Sequence, residues 1–179
     1  MGPLTKDLMI AALNRLDEKL VEIDFHPVHL IVGGGGAMIL AHHFPMGTTD
    51  IDAIPKGGEV PELSPLCMAI ASEQKLPLDW LNPYFSTFIH VLPKDYGNRL
   101  VEIFKGQRLS AQALGREDML IMKCFAHRRK DVGHARALVR QGVDHRLIEN
   151  HLEFLKQQKI PLITEALQFY DEILEMEEE

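Results

Sequence analysis

Only two cysteines, Cys67 and Cys124, occur among the 179 residues, and neither stands in a metal-type pair with the other. A disulfide framework and a structural zinc site are thereby excluded, and the plain expectation is a reduced, cytoplasmic setting. No apolar run approaches the roughly 20 residues that span a bilayer, so no membrane partner is expected. The first twenty residues carry Lys6, Asp7, Arg15, Asp17 and Glu18, which is unlike a signal peptide. No Gly-Lys-Ser/Thr follows the glycine cluster, so the Walker phosphate loop is absent. No Gly-x-Ser-x-Gly turn is present either, and neither cysteine has a helper nearby in sequence. Nine histidines are many, yet none shows His-x-x-x-His spacing on one helix. They are expected at the surface or at the edge of the core rather than around zinc.

The net charge of −7 is concentrated at one end. The last nine residues, DEILEMEEE, contain six acids and no base, which leaves 20 acids against 19 bases in residues 1–170. Between Arg116 and Arg146 there are eight Lys or Arg and four Asp or Glu. The chain is therefore not a nucleic-acid binder by bulk charge, although a basic wall beside an acidic site is compatible with this pattern.

Periodicity divides the chain into an α/β amino-terminal two thirds and a helical carboxy-terminal third. Leu4, Leu8, Ala12, Leu13, Leu16 and Leu20 recur at helical spacing. VHLIVGG (28–34) reads as a buried strand with a glycine stop. GAMILAHHF then reads as a short helix closed by Pro45 and Gly47, TDIDAIP as a second strand, and GGEVP as a loop. ELSPLCMAIASEQ is helical in pattern, LPLDWLN is a short strand or strand end, and NPYFSTFIHVLPKDYGN is irregular. RLVEIF and RLSAQAL, separated by KGQ, form a hairpin pattern. From Arg116 the pattern is helical, with breaks near Gly133, Gly142 and Pro161. This implies a core over 1–115 and a helical region over 116–179.

Two features carry chemistry. In IVGGGGAMIL, Gly33 and Gly34 end a strand and Gly35 and Gly36 start a helix. Glycine at such a turn lets the backbone bend sharply and lets an anion approach the N–H groups. By itself, a turn of this kind often packs tightly and binds nothing. Asp50 and Asp52 stand two residues apart in the next strand, where i and i+2 face one side. Two carboxylates held that close repel unless a cation neutralises them. A hard divalent ion such as Mg²⁺, which takes one or two carboxylates plus phosphate oxygens and water, is the natural partner. Alone, an Asp-x-Asp is more often a hydrated edge-strand pair.

Joined in order as strand, Gly-Gly, short helix and Asp-Ile-Asp strand, these elements resemble the nucleotidyltransferase superfamily with its polymerase-beta-like fold. The resemblance implies a mixed sheet flanked by helices. It implies that Gly33 and Gly34 seat a nucleoside triphosphate, with Thr49 in the lead-in to the acids. Asp50 and Asp52 would bind Mg²⁺ (or Mn²⁺). A third acid is usual in such sites. Asp79 in PLDWLN is the first choice for it and Glu102 in RLVEIF the second.

REDMLIMKCFAHRRKD (116–131) puts Lys123 among Met119, Ile121, Met122, Phe125 and Ala126, emerging at the edge of an apolar helix face or snorkelling from it. This segment resembles bacterial nucleotidyltransferase-like proteins related to abortive-infection toxins, in which a lysine, a basic residue and an acid follow the sheet. The resemblance implies that Lys123 meets the triphosphate, that Arg128 or Arg129 assists, and that Asp131 holds the arginine or orients the helix. Two positions depart from that pattern: Met46 stands where an arginine is usual, and His134 where an acid is usual.

The leading expectation is a metal-dependent nucleotidyl transferase moving a nucleoside monophosphate to an acceptor hydroxyl. The acceptor stays open between an RNA end such as a tRNA, a protein and a small molecule. The alternatives are a degenerate relative that binds a nucleotide or protein without turnover, and the toxin of a toxin–antitoxin pair, which implies an antitoxin protein as partner.

Overall fold

In the computed structural model, residues 2–45, 47–56 and 63–178 are described. GGEVP (57–61) and Met46 lie outside them. The chain divides into two compact units, Met1–Ser86 with Leu100–Leu114, and Thr87–Arg99 with Gly115–Glu179.

The first unit is built on a mixed five-stranded sheet in the order β3-β2-β1-β5-β4. The strands are β1 (Val28–Val32), β2 (Ile51–Pro55), β3 (Leu81–Asn82), β4 (Val101–Lys105) and β5 (Leu109–Ala113). Central β1 is antiparallel to β2, with Val32 opposite Ala53, and parallel to β5, with Leu30 opposite Ala111. β4 and β5 form the expected antiparallel hairpin, with an irregularity between Glu102 and Phe104.

Helix α1 (Lys6–Glu22) is capped by Thr5, whose side chain accepts from Leu8 N–H. Its buried stripe runs through Met9, Ala12, Leu13, Leu16 and Leu20. Leu8, expected in that stripe, is 42% exposed, and Met9 takes its place. Leu4 lies ahead of the helix, where its N–H and C=O pair with those of Thr48. Asp17 ties α1 to the hairpin turn, accepting from the N–H groups of Arg108 and Leu109 at 2.7 Å and of Gln107 at 3.0 Å. Burial pushes that carboxyl up, but the three donors outweigh it and hold it below its usual range. Helices α2 (Gly34–Leu40) and α3 (Ser64–Gln74) complete the unit. The core gathers Leu13, Leu20, Val32, Met38, Ile51 and Trp80, each fully shielded. Burying one such aliphatic side chain contributes about 1.5–3 kcal/mol.

The second unit contains α4 (Arg116–Ala126), α5 (Val132–Arg140), α6 (His145–Gln157) and α7 (Ile163–Glu178). The first helical break falls at 127–131, ahead of the expected Gly133, because His127 adopts a left-handed conformation (φ 33°) and ends α4. Gly142 (φ 80°) makes the second break, and the third lies between α6 and α7 around Pro161. The segment 87–99, irregular by pattern, contains short 3₁₀ turns and belongs with these helices. Arg99 explains why: its Nε and Nη2 meet both oxygens of fully buried Asp118 at 2.9 and 2.8 Å. His151 adds a contact to Val91 O at 2.8 Å. Among the described residues no helix is long and apolar enough to cross a membrane.

Candidate active site

The glycine turn and the aspartate strand form one local unit. β1 ends at Val32, and the Gly33 N–H carries the pairing one step further by donating to Asp52 O at 2.9 Å. Gly34, the first residue of α2, has φ +58°. A Cβ there would stand 2.0 Å from Asp52 Oδ2 and 2.9 Å from its Cγ, so a side chain is excluded by strain and by space. One residue on, a Cβ at Gly35 would meet Thr48 Oγ1 at 2.5 Å. The second strand therefore approaches this turn so closely that its carboxylate covers the Cα of Gly34.

β2 begins at Ile51, so Asp50 is the residue just before the strand rather than inside it. Ile51 is held there by its N–H donating to Trp80 O at 2.7 Å. Ile51 and Ala53 are buried while Asp50 and Asp52 are half-buried, the alternation a one-sided strand produces. Thr49 is exposed in the bend between the Leu4–Thr48 bridge and β2.

Asp79 lies in the turn ahead of β3 and is exposed. The β3 residue in register with Asp52 is Asn82, which is buried. Asn82 spends its amide on its own loop: Nδ2 donates to Asp79 O at 3.3 Å, and Oδ1 accepts from Tyr84 N–H at 3.0 Å. Sequence reading passed over Asn82, because only strand pairing shows which residue stands beside Asp52. Glu102 is on the same sheet, but on β4 at its opposite edge. Among the described residues no three His, Cys, Asp or Glu side chains are grouped so as to hold a metal ion.

The basic residues have a centre of their own in the second unit. Lys123 neither emerges nor snorkels: it is 1% exposed, with Nζ 2.6 Å from Asp131 Oδ1. Asp131 Oδ2 accepts from Arg128 Nε at 2.7 Å, and His134 Nδ1 lies 3.6 Å from Oδ1. Burial alone would raise the Asp131 carboxyl, but His134, Lys123 and Arg128 reverse this and hold it well below the usual range. Burial draws Lys123 down against the pull of Asp131. The Arg128 side chain is 51% exposed, so its fork reaches solvent while Nε is anchored.

A mixed sheet with a glycine turn after its first strand and Asp-Ile-Asp at the entry to its second defines a nucleotidyltransferase-like protein. The chain belongs to the family described as "Nucleotidyltransferase of unknown function (DUF6036)", which it matches over residues 11–165. No curated protein and no solved structure matches it.

Proposed function

We propose that the chain is a metal-dependent nucleotidyl transferase acting on a nucleoside triphosphate. The observation that carries this reading is the contact of the Asp52 carboxylate with left-handed Gly34, which joins the acid and the turn in one place. Asp50 and Asp52 would hold Mg²⁺ or Mn²⁺. Two hard oxygen donors suit an ion that arrives with a triphosphate and keeps water and phosphate as its remaining ligands. When bound, such an ion supplies charge neutralisation at the reacting phosphate. The chain's own part is positioning. The Gly33–Gly34 backbone would receive the polyanion, and the absence of a side chain at Gly34 leaves room for the Asp52 carboxylate. The exposed hydroxyl-bearing Thr49 borders the same acids. Within the second unit, Asp131 anchors Arg128 and takes up the charge of buried Lys123.

The test is a titration of the full chain with Mg²⁺ or Mn²⁺ and each triphosphate, read as thermal shift and as pyrophosphate release. Asp50→Asn with Asp52→Asn should abolish any metal-dependent shift. A double variant that shifts like the parent removes the metal from this reading.

One observation favours a second reading, nucleotide binding without turnover. The residue beside Asp52 on β3 is Asn82, whose amide is committed to its loop and brings no carboxylate. Metal-dependent triphosphate binding without pyrophosphate release, across RNA, protein and small-molecule acceptors, would select it.

A further inference from the structure

A cleft of about 430 Å³ lies in the first unit, within the roughly 300–1,000 Å³ typical of small-molecule sites. Ser64, Cys67 and Met68 of α3 form one part of its lining, and Leu78, Asp79, Leu81 and Pro83 the rest. The lining is mostly apolar, and Asp79 is its one charged group. Met68 is 55% exposed and Leu78 68%, an unusual outlay of large apolar surface around a single carboxylate.

The loop that carries Asp79 is braced from three sides. Trp80 Nε1 donates to Cys67 O at 3.0 Å, and Asn82 bridges Asp79 O and Tyr84 N–H. The loop uses the backbone carbonyl of Asp79, and the residue is exposed at the cleft. Topology sets where the cleft opens. β1 ends at the glycine turn, antiparallel β2 begins beside that end, and parallel β3 begins beside Ile51. Asp79, two residues ahead of β3, therefore comes at the same end of the sheet as Gly33, Gly34, Asp50 and Asp52.

The chemistry of this wall selects its ligand. An ionised carboxylate only accepts hydrogen bonds, through two parallel oxygens. A flat ligand between apolar walls matches it best by offering two adjacent N–H donors. Guanine does so with its ring N1–H and its 2-amino group. Adenine and cytosine set a ring acceptor beside their amino group, which a carboxylate repels, and uracil flanks its one N–H with two carbonyls. We propose that this cleft takes the base of a guanine nucleotide, with Asp79 accepting both donors. The inference deepens the transfer reading and rests on it for the role of the nucleotide's phosphates.

The test uses the full chain without added metal, titrated with GMP, IMP, AMP and CMP. Calorimetry and the fluorescence of Trp80, the only tryptophan, provide the readouts. GMP should bind tightest. IMP, which lacks the 2-amino group, should bind roughly ten-fold weaker for one lost charge-assisted hydrogen bond, and AMP and CMP weaker still. Asp79→Asn should keep the unfolding midpoint and lose the preference for GMP. Met68→Glu, which adds charge to an apolar wall, should weaken GMP binding. Equal affinity for the four nucleotides, or a GMP preference that survives in Asp79→Asn, overturns the proposal. The transfer reading fails differently: the GMP preference would persist while Mg²⁺ added nothing to GTP binding.

Discussion

Replacing Gly34 by alanine tests the closest contact of the candidate site. The φ of +58° is a left-handed conformation, which costs a residue with a Cβ about 1–2 kcal/mol. The added carbon would also meet Asp52 Oδ2 at 2.0 Å and Cγ at 2.9 Å. Because Asp52 must leave its rotamer or the turn must shift, overpacking should add about 1–3 kcal/mol. A total near 3 kcal/mol is expected for Gly34→Ala. In an Asp52→Ala background the oxygen and Cγ are gone and only Cβ remains, at 3.1 Å. Gly34→Ala should then cost little beyond the backbone term, giving a coupling of about 1–2 kcal/mol. The assay is urea unfolding of the parent, both single variants and the double variant, compared through midpoints and slopes. Additive losses, within about 0.5 kcal/mol, would show that the carboxylate does not stand on Gly34. The argument that joins acid to turn would then fall.

Three further outcomes are expected. Asp131→Ala should destabilise by about 3–5 kcal/mol, because it strands the charge of buried Lys123. Lys123→Met with Asp131→Leu should recover most of that loss in thermal unfolding, and an equal loss in both would refute the pairing. Arg99→Met removes the partner of buried Asp118, whose carboxyl burial already pushes up despite Arg99. A raised carboxyl favours the fold at acid pH, so this variant should lose stability as pH rises through its folded pKa, and a pH-independent deficit would contradict this. Asp17 is the opposite case: its depressed carboxyl adds stability above the unfolded pKa, lost as pH falls through the folded one. Asp17→Ala should cost about 2–3 kcal/mol at neutral pH and flatten the acid limb of the urea midpoint against pH.

Local pattern alone placed the glycine stop after β1, the acids around β2, the β4–β5 hairpin and the four carboxy-terminal helices. Each of these depends on residues within a few positions: a β-branched run, a left-handed glycine, a helical stripe. The stripe of α1 was legible except at one position, where Met9 rather than Leu8 turned inward. The candidate site was legible to the same depth. Asp-Ile-Asp after a glycine turn could be seen, but the contact between Asp52 and Gly34 could not.

Tertiary structure decided the rest, because those outcomes turn on partners distant in sequence. Only the sheet order sets Asn82 beside Asp52 and sends Glu102 to the far edge. Lys123 lies on an apolar face in any helical projection, and it is the turn after α4 that brings Asp131 to it and makes full burial tolerable. Arg99 draws 87–99 to the carboxy-terminal helices through a carboxylate nineteen residues away. A chain can announce its helices and strands from neighbouring residues, but which charges are buried together depends on how those elements pack.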